Sequence, residues 1–378
     1  MTRKYLVRKL IPVNRPLLAD EDIASVNLAL KETLLSGDTS PVSNFEEQLA
    51  DFLGVTSAVC VSNGSVAIDL SIEAFEIKEG DECVVPTFTI ISTCNQLMRR
   101  GARIRLVDSD ADTWSMNSSE CVEAISENTK LVLPVHIYGL PVDMKQIISK
   151  ADKLGIPVLE DAAEALGVRY NEKACGSIGT LGTFSFYANK IITSGEGGAI
   201  VGSDPEIIAK IRKLRNLHFN PENRFVHTDI GWNARLSGLQ ASLLSTQLAR
   251  IELLIEKKRA IGQLYREGLK NHPWLELQPQ FTNYSENSYW VVGAILNEDS
   301  PFNAADFQKV LREKGVDSRR FFCPMHLQPL FKEYDFVVES DLTVSEKLWD
   351  RGIYFPSGLG NTYQEIEKVI DVLWGFVK

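Results

Sequence analysis

Short apolar segments alternate with amphipathic helical segments through the first half of the chain. Nearly continuous apolar runs are typical of strands that helices cover on both faces, as in a parallel sheet. The pattern therefore predicts an α/β fold with a mostly parallel central sheet. The expected strands are Ser57–Val61, Glu82–Val85, Arg103–Val107, Leu131–His136, Pro157–Leu159, Thr183–Phe186 and Gly198–Val201.

Helical patterns follow residue 204. Asp204 before a proline is typical of a helix start, and the basic cluster Arg212, Lys213 and Arg215 fits the solvent-exposed face of that helix. A long helical pattern over residues 236–270, continuous or broken, fits a connection between two domains.

At 378 residues the chain is long enough for two domains. We expect a large domain over residues 1–250 and a smaller C-terminal α+β domain over residues 251–378. In the smaller domain, Tyr289–Leu296 fits a strand, and Thr362 with Glu365 forms the capping-box signature of a last helix.

Lys190 is the first candidate for chemistry, because it lies between the apolar run that ends at Phe186 and the glycine-rich turn Thr193–Gly198. A lysine in that place can act as an amine nucleophile toward an aldehyde or ketone. The alternative is an ordinary surface lysine.

Asp161 stands where the apolar run Ile156–Leu159 ends. Ligands of open α/β sheets bind beyond the carboxyl ends of the strands, and a carboxylate there can pair with a protonated pyridine nitrogen. The alternative is a helix N-cap, which an aspartate before Ala-Ala-Glu also suits.

Two further segments suit a flat, phosphorylated ligand. Gly64 and Ser65 lie between a strand and a helix start, where backbone N–H groups and the helix dipole favour a phosphate. Phe88 follows another strand and can stack on a ring. A helix start without a ligand and a core phenylalanine are the alternatives.

Together these segments resemble the DegT/DnrJ/EryC1/StrS family of sugar aminotransferases, from about Ile11 to the C-terminus. The resemblance implies pyridoxal 5'-phosphate as cofactor and the aspartate-aminotransferase-like fold, PLP fold type I. The matching stretches are Val61–Ala67, Val85–Thr89, Val135–Gly139, Glu160–Ala165, Asn189–Gly198, and Ser318–Phe322 with Pro324 and His326.

The resemblance also implies roles around the cofactor ring. Lys190 matches the family's Schiff-base lysine, and Asp161 matches the partner of the pyridine nitrogen. Ala163 and Phe88 match residues on the two faces of the ring. Glu164 matches a variable position near the cofactor's phenolic oxygen.

Other matched positions concern the phosphate and the substrates. Gly64, Ser65 and Ser185 match phosphate contacts. Asn233 matches an asparagine that reaches the phosphate of the neighbouring subunit, which implies a homodimer with shared active sites. The resemblance further implies substrate-binding roles for His326 and Arg319, although a solvent-exposed loop position is an alternative for His326.

The implied reaction converts a keto-sugar to an amino sugar with glutamate as amino donor, for the biosynthesis of surface polysaccharide. A related sugar 3-dehydratase has histidine in place of the Schiff-base lysine, so Lys190 favours transamination. A nucleotide-linked 4-keto-6-deoxy sugar is the first substrate expected. Within the resemblance, the loop Leu35–Val42 looks a few residues shorter than the family's equivalent loop, and Arg224–His227 keeps only the first and last residues of a basic-aromatic tetrad.

These departures leave an alternative substrate, an 8-keto octulosonate sugar acid aminated to 8-amino-3,8-dideoxy-octulosonate for lipopolysaccharide. Another pyridoxal-phosphate reaction, such as dehydration or decarboxylation, would use the same cofactor residues. A catalytically silent binding or regulatory homologue is the alternative of a different class, and it predicts loss of Lys190 or Asp161; both are present.

The composition of the chain limits the kinds of partner that it is expected to bind. A formal net charge of -10 disfavours nucleic acid as a partner, since phosphate neutralisation needs a basic surface. The six cysteines form no C-x-x-C pair and indicate no metal. No apolar run is long enough to cross a bilayer, so we expect no membrane partner and a cytoplasmic location.

Overall fold

The structure, a computed structural model, describes residues 10–220, 222–334, 336–338 and 341–377. The strands in this part of the chain are β1 (Ser57–Val61), β2 (Glu82–Pro86), β3 (Arg103–Val107), β4 (Thr129–Val132), β5 (Leu159–Asp161), β6 (Arg169–Tyr170), β7 (Lys173–Ala174), β8 (Leu181–Ser185), β9 (Gly198–Gly202), β10 (Leu275–Leu277), β11 (Val292–Leu296), β12 (Arg319–Arg320), β13 (Phe336–Val338) and β14 (Gly352–Phe355).

The helices surround these strands in the same alternation that the apolar pattern predicts. They are α1 (Asp20–Lys31), α2 (Ser40–Leu53), α3 (Gly64–Ala74), α4 (Ser92–Arg99), α5 (Ser118–Ala124), α6 (Met144–Leu154), α7 (Pro205–Arg215), α8 (Gly238–Leu248), α9 (Ile251–Gly268), α10 (Ala304–Glu313), α11 (Thr343–Arg351) and α12 (Tyr363–Trp374). Short 3₁₀ turns cover Met325–Leu327 and Pro329–Glu333.

The central sheet consists of two ladders that meet between β4 and β5. One has the order β13-β3-β2-β4 and the other the order β5-β8-β9-β1. Parallel bridges from Val132 to Val158 and from Val135 to Asp161 join them. Strand β9 is antiparallel to both of its neighbours, whereas the remaining described pairs are parallel. The prediction of a mostly parallel α/β sheet is therefore confirmed.

Proline explains why the expected strand Leu131–His136 is shorter in the structure. Pro134 has no N–H to donate, so regular pairing cannot continue through it. Its carbonyl still accepts from Asp161 N at 2.9 Å, and His136 N donates to the carbonyl of Asp161 at 3.1 Å. The irregular segment thereby holds the end of β5 in the sheet.

The C-terminal part of the chain builds a second, antiparallel sheet in the order β10-β11-β14-β12. A separate apolar core lies under it, with α9, α10 and α12 contributing Tyr265, Phe307 and Ile366 among others. Helix α9 contributes Ile251, Leu254 and Ile255 to the core of the central sheet instead. It therefore connects the two cores, as the helical pattern over 236–270 predicts, and the domain boundary at residue 250 stays a prediction.

The basic cluster on α7 is only partly solvent-exposed, which corrects the sequence-based expectation. Lys213 is exposed, but Arg212 and Arg215 both pair with the buried carboxylate of Glu46 on α2. Their guanidinium groups also donate to the carbonyls of Ala58 and Cys60 on β1. Two of the three cations thus attach α7 and α2 to the edge of the central sheet.

None of the helices in the described part of the chain combines the length and the apolar character that a bilayer crossing requires.

Candidate active site

Most of the predicted cofactor residues follow parallel strands of the central sheet. Because β1, β2, β5 and β8 run in one direction, their carboxyl ends meet at one edge. The residues that follow these ends are Gly64 and Ser65 after β1, Phe88 after β2, Ala163 and Glu164 after β5, and Lys190 after β8, where Ser185 is the last strand residue.

Asp161 is the last residue of β5 and is 3% exposed. No helix begins there, because residues 162–167 form turns, so the helix N-cap alternative is wrong. Its Oδ1 accepts from Ala163 N at 3.1 Å, and Thr93 also bonds to the carboxyl. Burial raises the pKa of Asp161, while those hydrogen bonds and the nearby Lys190 and His136 partly oppose the rise.

The neighbouring Glu160 points into the opposite side of β5 and fixes the strand. Its carboxylate accepts from three backbone N–H groups, those of Gly176, Ile178 and Gly179, at 2.9, 2.6 and 2.6 Å. His136 Nε2 lies 3.0 Å from the same carboxylate, and both side chains are fully buried. This network fixes the end of β5, and with it the backbone of the neighbouring Asp161.

Lys190 lies in the turn after β8, where its N–H donates to the Tyr187 carbonyl at 2.9 Å. Its side chain is 12% exposed, and Nζ lies 3.8 Å from Glu164 Oε1. The surface-lysine alternative is therefore wrong. Burial lowers the pKa of Lys190, and the negative charges of Glu164 and Asp161 counteract that effect. The net effect is a lowered pKa of Lys190, so its neutral amine form is more populated near neutral pH than that of a solvent-exposed lysine.

Glu164 is buried and faces Lys190 from the turn after β5. Its Oε2 accepts from Tyr138 N at 2.9 Å. Burial raises the pKa of Glu164 to about 7, with Lys190 and the Tyr138 N–H acting in the opposite direction. The carboxyl of Glu164 can thus gain or lose a proton close to neutral pH.

The start of α3 forms a cradle against the end of β8. Asn63 caps the helix by accepting from Val66 N at 2.9 Å, so the positive end of the helix dipole points at the sheet edge. A Cβ atom at Gly64 would lie 2.8 Å from the Ser185 Cβ, so glycine is needed for this close approach. Ser65 Oγ lies 2.7 Å from Ser92 Oγ, at the start of α4.

Phe88 is buried within a cluster of aromatic rings. Its ring centroid lies 6.0 Å from those of Tyr138 and Phe321 and 6.1 Å from that of Phe322. Core packing, the alternative raised for this residue, is therefore present. Its stacking on a cofactor ring stays a prediction.

Three other predicted residues lie apart from the Lys190 group. Asn233 is exposed, and its backbone pairs with Asn216. His326 Nδ1 lies 2.8 Å from Thr87 Oγ1, after β2, and its Nε2 lies 3.2 Å from Glu346 Oε1. Arg319, whose side chain is 49% exposed, donates to Asp317 Oδ1 at 3.0 Å. His326 is thus bonded on both sides rather than merely solvated.

Trp290 belongs to the site although no sequence pattern indicates it. Lys190 Nζ lies 4.1 Å from the centroid of its ring, and both residues line a small cavity with Ala163, Glu164 and Ser185. Tyr138 was matched only as part of a motif, yet its N–H binds Glu164. The strand pattern around residue 290 predicts only that the indole of Trp290 is buried. It gives no sign that the indole contacts Lys190.

The residues present fit pyridoxal phosphate on structural grounds. A buried lysine amine can bind the aldehyde, the buried Asp161 carboxyl can face the ring nitrogen, and the cradle of Gly64, Ser65 and Ser185 can hold the phosphate. On a sheet of this topology, they define a pyridoxal-phosphate-dependent enzyme of fold type I.

Comparison with known proteins narrows the class to a family. Residues 16–374 match the DegT/DnrJ/EryC1/StrS aminotransferase family, and the chain belongs to it. It is therefore a pyridoxal-phosphate-dependent sugar aminotransferase. A putative pyridoxal phosphate-dependent aminotransferase, EpsN of Bacillus subtilis, is 36% identical over 88% of this chain and 87% of its own length.

Two GDP-perosamine synthases are similar over almost their whole length. That of Caulobacter vibrioides is 34% identical over 96% of this chain and 97% of its own, and that of Vibrio cholerae is 31% identical over 96% and 98%. A crystal structure of GDP-4-keto-6-deoxymannose-3-dehydratase with bound GDP-perosamine has a TM-score of 0.89 at 25% identity, covering 96% of this chain and 100% of that one. Another, with a trapped PLP-glutamate geminal diamine, also has a TM-score of 0.89 at 25% identity, covering 96% and 99%.

The raised pKa of Glu164 predicts a pH-dependent stability of the cofactor-free protein. The folded state holds the proton up to about pH 7, whereas the ordinary value is 4.5. Stability should therefore fall as pH rises through this window, and Glu164→Gln should remove that loss. We expect the variant to unfold like the wild type near pH 4 and to be more stable by about 2–3 kcal/mol near pH 8.

Urea unfolding of both proteins across this pH range measures the difference. Glu367→Gln is a suitable control, because that carboxylate is solvent-exposed on α12 and should change stability little. A difference between Glu164→Gln and the wild type that does not vary with pH would contradict the assignment.

Proposed function

We propose that this sugar aminotransferase transfers the amino group of glutamate to a nucleotide-linked 4-keto-6-deoxy sugar, with GDP-4-keto-6-deoxymannose as the first candidate. The observation that carries the proposal is the buried Lys190 amine beside Glu164, at the sheet edge where Asp161 ends β5. The near-full-length similarity to two GDP-perosamine synthases supports the substrate. The related dehydratase structure with a PLP-glutamate adduct supports the donor.

When bound, pyridoxal phosphate supplies an electron sink that makes the carbon next to the amino group acidic. The residues of this chain move and hold the proton. Lys190 Nζ is the base that takes this proton from the donor and returns it to the sugar carbon in the second half of the reaction. Burial suits the amine to the task, because it lowers the pKa of Lys190.

Asp161 would keep the electron sink charged. Its carboxyl is buried, so pairing with a cationic ring nitrogen would remove the desolvation cost that otherwise favours its neutral form. Glu164 would face the phenolic side, where its carboxyl and Lys190 lie within 3.8 Å. The two acids would thus bind two different polar groups of the same ring.

We also propose a homodimer in which Asn233 completes the partner's phosphate site. Asn233 is exposed in this chain and lies outside the Lys190 group. The segment before it carries large exposed apolar side chains, with Phe225 at 79% and Ile230 at 80%. Exposed apolar residues of this density favour burial against another surface.

Replacing Lys190 tests the catalytic role. Lys190→Ala should leave the fold intact, remove the visible band that glutamate bleaches in the wild type, and lower turnover roughly a thousandfold or more, since no base remains for the proton transfer. Lys309→Ala, which changes a lysine with a 74% exposed side chain, is the matched control. Full turnover by Lys190→Ala would overturn the role.

The substrate is tested by following 2-oxoglutarate release with glutamate as donor. GDP-4-keto-6-deoxymannose should have a kcat/KM higher by roughly a hundredfold than an 8-oxo-octulosonate, because a pocket built for the nucleotide gains binding contacts from it. Preference for the sugar acid would establish the alternative substrate. If neither acceptor supports the release of 2-oxoglutarate, both substrates are rejected and the aminotransferase class stays in place.

Mixing two inactive variants tests the shared site. In a mixed dimer of Lys190→Ala and Asn233→Ala, one site contains both intact residues and the other contains neither. Equilibrated mixtures should regain about a quarter of the wild-type activity, whereas each variant alone should have little. No recovery in mixed dimers isolated through a different affinity tag on each variant would contradict the placement of Asn233.

A further inference from the structure

The amine of Lys190 rests on the face of an indole. Its Nζ lies 4.1 Å from the centroid of the Trp290 ring and 3.8 Å from Glu164 Oε1. A cation over the face of tryptophan is attracted by the ring quadrupole, and the attraction is stronger in a desolvated site. Trp290 is 5% exposed, so this contact is largely shielded from water.

The indole is held from three directions. Its Nε1 donates to the carbonyl of Asn189, the residue before Lys190, at 3.1 Å. Its ring stacks on Tyr138, with centroids 6.0 Å apart and an interplanar angle of 20°. Its backbone carbonyl accepts from Lys258 Nζ at 2.8 Å. The ring therefore cannot turn away from Lys190 without breaking several contacts.

Lys258 holds the backbone of this segment at the energetic cost of burying its amine. It lies on α9, is 3% exposed, and donates to the carbonyls of Trp290 and Ser357. Burial lowers its pKa to about 7. In the described part of the chain, Lys258 Nζ donates to these two carbonyls and pairs with no carboxylate, so this lysine serves to fix the segment that carries Trp290 rather than to form an ion pair.

We infer that the face of Trp290 is the resting place of the Lys190 amine whenever that amine is free, and that Trp290 is a positioning residue for the proton transfers. The inference rests on the proposed role of Lys190. A cation–π contact is only weakly directional, so the ammonium form is held beside Glu164 while its N–H groups stay available to donate, and loss of one proton frees the lone pair. A short ion pair with Glu164 would instead restrain it.

The test measures the protonation of Lys190 in the cofactor-free protein rather than turnover. Competitive acetylation at a series of pH values, followed by mass spectrometry of the Lys190 peptide, reports the neutral fraction of that amine. Glu164 and Asp161 face the amine and remain in all variants. Trp290→Leu removes the quadrupole that favours the ammonium form, so the neutral fraction below the pKa should rise roughly three- to tenfold.

Trp290→Phe should give a smaller rise, because phenylalanine keeps a weaker aromatic face, and it protects the test if the leucine variant fails to fold. Trp374→Phe is the matched control, since that indole also donates to a backbone carbonyl, that of Gly268, at 2.7 Å. It should leave the labelling of Lys190 unchanged.

The outcomes separate this inference from the proposed function. Unchanged labelling of Lys190 in the folded Trp290 variants would overturn the positioning role, even if Lys190 still binds the cofactor. A Lys190→Ala enzyme that keeps its glutamate-bleached band would instead overturn the role of Lys190 itself. A rise in Trp290→Leu and Trp290→Phe, but not in Trp374→Phe, would support the inference.

Discussion

The active site depends on one amine and two carboxylates enclosed together at the edge of the sheet. Burial acts on all three in the same sense, since it favours the neutral form of Lys190, Asp161 and Glu164 alike. The attraction between Lys190 and each carboxylate acts in the opposite sense, whereas the charge of Asp161 adds to the effect of burial on Glu164. Because burial and charge attraction oppose each other, a bound ring can easily change the protonation states of these three side chains. A reaction made of proton transfers requires such groups.

The same strand shows how a structural charge differs from one available for chemistry. Glu160 and Asp161 are adjacent and both buried. Glu160 accepts from three backbone N–H groups besides its contact with His136, so its hydrogen-bonding capacity is occupied. Asp161 has one backbone donor and a threonine hydroxyl, and Glu164 has one backbone donor. The number of fixed donors thus separates the anchoring acid from the acids that can serve a ligand.

Sequence reasoning located the residues that follow strands, because a parallel sheet collects strand ends at one edge whatever the details of packing. Lys190, Asp161 and Gly64 could be predicted for this reason. It failed where contacts are distant in sequence. Arg215 looked solvent-exposed by helical periodicity, yet Glu46, on another helix, draws it inward. Likewise, the apolar pattern around Trp290 predicts burial and cannot show that the indole faces a lysine a hundred residues earlier.

The Tyr138-Gly139 pair explains how that distant segment reaches the site. Gly139 has φ of 99°, and a Cβ there would lie 2.7 Å from Trp290 N and 2.8 Å from Tyr289 N. A larger residue would therefore push the segment carrying Trp290 away from Tyr138, on which the indole stacks. Since the Tyr138 N–H also binds Glu164, this one turn positions both neighbours of the Lys190 amine, the acid directly and the indole by leaving room for it.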